Sequence, residues 1–184
     1  MINKRENTKI SRFISLVLRH KPETIDLILD DNGWANIDEL IIKMNKHGFE
    51  LTIDTLNHIV ASNNKKRFSL DETKARIRAN QGHSIEVELN LKEAEPPIYL
   101  FHGTGENSVT SILATGLDKR ARQHVHLSSE KETAIIVGKR HGRPRVFIVA
   151  ARQMTTAGYS FYLSENNVWL IDNVPIAYLR LLEE

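Results

Sequence analysis

Arginine and histidine occur together in several stretches of this chain, among them Leu18-Arg19-His20, Ile77-Arg78-Ala79-Asn80-Gln81-Gly82-His83-Ser84 and Arg122-Gln123-His124-Val125-His126-Leu127-Ser128. A guanidinium is a permanent cationic fork that suits phosphate, and an imidazole exchanges a proton near neutral pH. The pairing points to work on a phosphate group. A fourth stretch, His102-Gly103-Thr104-Gly105, follows an apolar run and reads as a glycine turn. There it would offer backbone N–H groups, an imidazole and a hydroxyl to a ligand. It matches neither common phosphate loop, because the chain has no G-x-G-x-x-G before a helix and no G-x-x-x-x-G-K-[ST].

His124 and His126 are two apart in a strand-like pattern, so they share one face while Val125 and Leu127 share the other. With His102 they would make three nitrogen ligands for a metal. No carboxylate stands at a characteristic spacing, however, and Arg122 would repel a cation, so the metal reading ranks below a cleft-lining strand, and a surface strand with solvated histidines remains open. The run Lys139-Arg140-His141-Gly142-Arg143-Pro144-Arg145 is expected to be a solvated loop that would steer a polyanion if it flanks the cleft.

The elements that must carry these residues fall into two groups. Ile10, Phe13, Ile14 and Val17 recur at helical spacing, Thr8 is the expected cap and Pro22 forbids continuation, which places Arg19 and His20 in the last turn. Cations there face the negative end of the helix dipole, which favours the protonated form of His20. A turn at Asp30-Asp31-Asn32-Gly33 leads to Asn36-Ile37-Asp38-Glu39, a capping-box start for a helix with Leu40, Ile41 and Met44 that Gly48 stops. A third helix carries Ile53, Leu56, Ile59 and Val60. After an Asn63-Asn64 break, residues 67–70 and 75–78 alternate with period two around Asp71-Glu72-Thr73-Lys74, a hairpin pattern. Helices followed by a basic two-stranded wing suggest a winged-helix lobe, an order that simple packing domains also use.

Glu93-Ala94-Glu95-Pro96-Pro97 breaks the pattern and marks the expected boundary between lobes at 1–93 and 97–184. Beyond it, strands are expected at 98–101, 124–127, 146–149, 160–163, 168–171 and 176–181. Short helices are expected at 108–115, closed by Gly116, and at 131–137. The fold class is α+β, with a mixed, strand-rich second lobe. With 184 residues, 25 Lys and Arg against 23 Asp and Glu, and no cysteine, the chain carries a net charge of only +2. Disulfide frameworks and thiolate chemistry are excluded, and any basic surface must come from local clustering. No apolar run approaches the roughly 20 residues of a membrane span and the start has no apolar signal core, so a cytoplasmic chain is expected. A monomer is the expected state.

Taken together, Leu18-Arg19-His20-Lys21-Pro22, the 77–84 and 122–128 stretches and Tyr99-Leu100-Phe101-His102-Gly103-Thr104 resemble the NAD-dependent RNA 2'-phosphotransferases over essentially the whole chain. The resemblance implies an N-terminal winged-helix RNA lobe and a C-terminal lobe of ADP-ribosyltransferase fold that holds NAD. In the reaction it implies, an internal RNA 2'-phosphate attacks the anomeric carbon of the nicotinamide ribose, giving an ADP-ribosylated RNA phosphate. The 2''-hydroxyl then attacks phosphorus, leaving a 2'-hydroxyl on RNA and ADP-ribose 1'',2''-cyclic phosphate. No metal is implied.

The catalytic positions carried over are Arg19, His20, Arg78 and Arg122. Three guanidiniums would clamp one phosphate and His20 would move the proton. His102, Gly103, Thr104, His126 and Ser128 match the positions that hold NAD. A glutamate completes the site in many relatives with that fold, and here Val168 stands in its place, as suits a nucleophile that is already anionic. The alternatives are an NAD-dependent ADP-ribosyltransferase acting on another acceptor such as a terminal nucleic-acid phosphate, a non-catalytic winged-helix binding protein and a metal-dependent phosphatase.

Overall fold

The computed structural model describes residues 4–63 and 66–183. Residues 1–3 and Asn64, on which the readings of the chain start and of the break after the third helix partly rest, lie outside them. The chain is α+β, with helices and small antiparallel sheets, and it divides into two compact units that part between Asn90 and Leu91.

In the first unit, α1 (Lys4–Arg19) is followed by a 3-10 turn at Pro22–Ile25, β1 (Ala35–Asn36), α2 (Ile37–Lys46), α3 (Ile53–Ala61), β2 (Phe68–Leu70) and β3 (Arg76–Ala79). Thr8 lies inside α1, not at its cap, because Arg5 and Glu6 extend the helix and Glu6 sits in the first turn, where an acid complements the dipole. Ile10, Ile14, Val17 and Leu18 are almost completely buried. At about 1.5–3 kcal/mol each, their burial fixes how α1 lies on the core, and hence where its C-terminus points. Asn36 caps α2 by accepting from the Glu39 amide, and Thr52 caps α3 through the Thr55 amide. The strand order is β1-β3-β2, all antiparallel, with Ser69 opposite Arg78. The Asp71 carboxylate closes the hairpin by accepting from the amides of Ala75 and Arg76 and from Arg76 Nε.

The second unit contains β4 (Leu100–Gly105), α4 (Val109–Thr115), β5 (Leu117–Asp118), β6 (Val125–Leu127), α5 (Lys131–Gly138), β7 (Pro144–Val149), α6 (Ala151–Thr156), β8 (Tyr162–Leu163), β9 (Trp169–Ile171), β10 (Asn173–Val174) and β11 (Leu179–Leu181). They form sheets β11-β7-β4 and β6-β9-β8 and a small β10-β5 ribbon, around a core that includes Leu100, Phe147, Val149, Met154 and Phe161. His102-Gly103-Thr104-Gly105, expected as a turn, forms most of β4 and pairs with β7 throughout. Helix α6 has no counterpart among the expected elements, Ile98 and Tyr99 are exposed ahead of β4, and residues 176–178 make a 3-10 turn before β11. Sheets β11-β7-β4 and β6-β9-β8 share one buried core, and their backbones join at a seam: Phe101 and Ser128 exchange hydrogen bonds of 2.8 and 2.9 Å. Among the described residues these are the only backbone bonds joining those two sheets.

Candidate active site

The first cluster lies within the first unit. Arg19 ends α1, and its carbonyl accepts from the Ser84 amide at 2.9 Å while its Nη2 donates to the Arg67 carbonyl at 3.3 Å. His20 follows at once, its Nδ1 2.9 Å from the Ser84 hydroxyl. The Gly82-His83-Ser84 turn is thus tied to the helix end by both backbone and side chain. Arg78 comes from β3, where Ile77 and Ala79 face the core and Arg76 and Arg78 take the opposite face. The Trp34 ring serves that face, with the Arg78 guanidinium 4.6 Å and the Arg76 guanidinium 5.6 Å from its centroid. Arg76 is held by Asp71 and Asp30, and Asp30 also accepts from the Trp34 amide. This network fixes the ring on which Arg78 lies.

His83 is fully buried, and neither ring nitrogen has a hydrogen-bond partner among the described residues. Burial first, then the charges of Arg19, His20 and Arg78, push its pKa down to about 4. It is therefore neutral at physiological pH. The three groups that repel a proton from His83 are the same three that the motifs single out. Burial disfavours a charge of either sign, so what suits the locus to a phosphate is the gathering of the Arg19, His20 and Arg78 side chains themselves.

The second cluster is built on β4 and β6. The alternation of β4 places His102 and Thr104 on one face and Gly103 and Gly105 on the other. A Cβ on Gly103 would stand 1.7 Å from the Ala134 carbonyl oxygen of α5, and one on Gly105 would stand 2.2 Å from that of His141. The glycines let α5 and the turn after it press on the strand, while His102 and Thr104 keep the other side. His102 donates from Nδ1 to the His126 carbonyl at 3.1 Å, which leaves Nε2 as an acceptor. Burial, together with Arg122, His141 and Arg120, holds its pKa below the usual histidine range against the opposing effect of that bond. Arg122 Nη1 donates to His126 Nδ1 at 2.9 Å, and Ser128 sits at the seam between the two sheets, its hydroxyl accepting from the Glu130 amide.

His102, Arg122 and His126 are therefore linked, with Thr104 on β4 and Ser128 directly after β6. His124 packs instead against Tyr162, ring centroids 6.0 Å apart, and burial lowers its pKa against the pull of Asp172. Among the described residues no three histidines or carboxylates gather as a metal would require. In the basic run, Lys139–His141 form a 3-10 turn, and Arg143 and Arg145 are paired with Glu106 at 3.6 and 3.9 Å. Val168 closes a tight turn in which its amide donates to the Ser164 hydroxyl. Sequence reasoning gives Trp34 no role, since an aromatic after a turn has no periodicity to reveal it, and Ser84 stands out only as part of a motif.

Residues 5–173 match the model of a protein family described as RNA 2'-phosphotransferase, Tpt1 / KptA family. The chain belongs to this family. Its relatives include proteins named as probable RNA 2'-phosphotransferases. One from Flavobacterium johnsoniae is 55% identical over 93% of this chain and 94% of its own. Another, from Fusobacterium nucleatum, is 53% identical over 95% and 98%. A third, from Trichormus variabilis, is 50% identical over 95% and 96%. The family match spans both clusters, so each of the residues described above lies inside it. No helix of the described residues is long and apolar enough to cross a membrane.

Proposed function

We propose that this chain removes an internal 2'-phosphate from RNA by transferring it to NAD, releasing nicotinamide, RNA with a free 2'-hydroxyl and ADP-ribose 1'',2''-cyclic phosphate. The observation that carries the reading is the gathering of Arg19 and His20, tied at the end of α1 to Ser84, with Arg78, all three acting on the same buried His83. Family membership supplies the reaction class. The order of helices and hairpin in the first unit supports a winged-helix lobe, and the two small sheets joined at a seam support an ADP-ribosyltransferase-like lobe for the second.

NAD, as co-substrate, supplies an anomeric carbon with a cationic leaving group and a neighbouring hydroxyl. The second cluster suits such a guest. His102 is neutral with its Nδ1 proton committed, so Nε2 accepts from a ribose hydroxyl. Thr104 and Ser128 add hydroxyls, and the Arg122 tie to His126 orients that ring. Gly103 serves by letting α5 close on the strand. Arg19 and Arg78 hold the phosphate and spread the charge that builds on its oxygens as phosphorus is attacked. His20, oriented by Ser84, moves the proton between the attacking and leaving hydroxyls. None of these roles draws on a metal.

The test is incubation with NAD and an RNA bearing one internal 2'-phosphate, followed by mass spectrometry. The wild-type chain is expected to give all three products, in chelator as well as without it, and none when NAD is omitted. Arg78→Ala is expected to stall after nicotinamide release, with ADP-ribosylated RNA accumulating. Final product from that variant at the wild-type rate would overturn the role of Arg78. Preference for a 5'-phosphorylated oligonucleotide would move the chain to a different acceptor.

A further inference from the structure

The outer face of α1 is used by neither cluster. Opposite its buried stripe, Arg5, Lys9 and Arg12 recur at spacings of four and three residues, and the same line runs on through Leu16 to Arg19. One helix face therefore carries cations over about 21 Å up to the candidate phosphate site. Arg5, Lys9 and Arg12 are not ion-paired among the described residues, and Lys9 and Arg5 are exposed. They border a shallow groove whose floor includes Phe13, Leu16 and Phe49, and Glu6 is the one carboxylate on its wall. The floor is aromatic. Phe13 lies 4.4 Å from Phe49 and stacks on the exposed His47 at 5.1 Å, and the Lys9 ammonium stands 5.3 Å from the Phe49 ring.

Cations that track a backbone beside aromatic faces that accept bases are what a single strand of nucleic acid requires. The alternative within this unit is α3, the third helix, which winged-helix proteins commonly set against nucleic acid. Here it contains no lysine or arginine and exposes Asp54, Asn57 and His58. Charge complementarity favours α1.

We infer that the Arg5–Lys9–Arg12 face of α1, with Phe13 and Phe49, is the track for single-stranded RNA flanking the phosphorylated nucleotide, leading it to Arg19. This rests on the function proposed above and names the surface that binds the rest of its substrate. Clustered surface cations also attract an anionic membrane, and the experiment separates the two.

The full chain and its Lys9→Ala/Arg12→Ala variant are titrated against a fluorescent single-stranded oligoribonucleotide without 2'-phosphate, at about 50 and 200 mM salt. Each phosphate that the protein no longer neutralises lowers the salt slope by about 0.7 on a single strand, so the variant's affinity should fall about sevenfold less than the wild type's across that range. Its affinity at the lower salt should also be weaker. An unchanged slope and affinity overturns the track, as does co-sedimentation with anionic vesicles in place of RNA binding. In turnover, the variant should show raised KM with unchanged kcat on a long 2'-phosphorylated RNA, and wild-type kinetics on a 2'-phosphorylated dinucleotide too short to reach Lys9. If no RNA is turned over by either protein, the proposed reaction fails while the binding titration still decides the track.

Discussion

Replacing His83 with glutamine tests the electrostatics of the first cluster without touching a group that holds substrate. In the unfolded chain its imidazole titrates near 6.5, and in the folded chain near 4. Between those values the unfolded state binds more protons, so the group's contribution to stability is intact above about pH 6.5 and is lost as the pH falls towards 4. A depression of this size corresponds to about 3 kcal/mol, since each unit of pKa is about 1.4 kcal/mol. His83→Gln removes that titration and leaves the carboxylates and other histidines as they were. Urea midpoints measured from about pH 7 to about pH 4 should show the wild type losing about 3 kcal/mol more than the variant, whatever constant packing cost the substitution adds. Two curves that fall in parallel would refute the claim that His83 is held neutral by burial and by Arg19, His20 and Arg78.

Gly103→Ala should destabilise the protein by at least about 1–3 kcal/mol, because the new Cβ meets the Ala134 carbonyl at 1.7 Å and α5 must lift from β4. An unchanged urea midpoint would contradict that. Trp34→Ala removes the surface under Arg78, a contact of about 0.5–2 kcal/mol, and should lower kcat/KM on 2'-phosphorylated RNA by about 2- to 30-fold. Trp34→Phe should keep most of the activity, and equal losses in the two variants would mean that the ring does not position Arg78.

Strong periodicity and cap chemistry make much of the first unit legible. Ile10, Ile14 and Val17 mark the buried side of α1, the Asn36 and Glu39 pair marks the start of α2, and the Asp71 to Lys74 spacing marks the hairpin. The start of α1 lies upstream of Thr8 because a threonine caps a helix only if nothing before it prefers to be helical. His102-Gly103-Thr104-Gly105 misleads for a physical reason. Paired glycines usually signal a turn, yet glycine in a strand also marks the close approach of another backbone, and the period-two alternation of those four residues is the clue. Helix α6, six residues long, is too short for its period to show. The neutrality of His83 and the placement of Trp34 depend on neighbours brought from α1, β3 and the turns between them, which no local pattern encodes.

The seam at Phe101 and Ser128 has a mechanical meaning. The backbones of the two sheets touch through one pair of bonds, and beside that pair the His102 imidazole reaches across to a carbonyl of the other sheet. The shared core of Leu100, Phe147, Val125 and Trp169 holds the angle between the two sheets, so whatever binds beside His102 meets a shape already set.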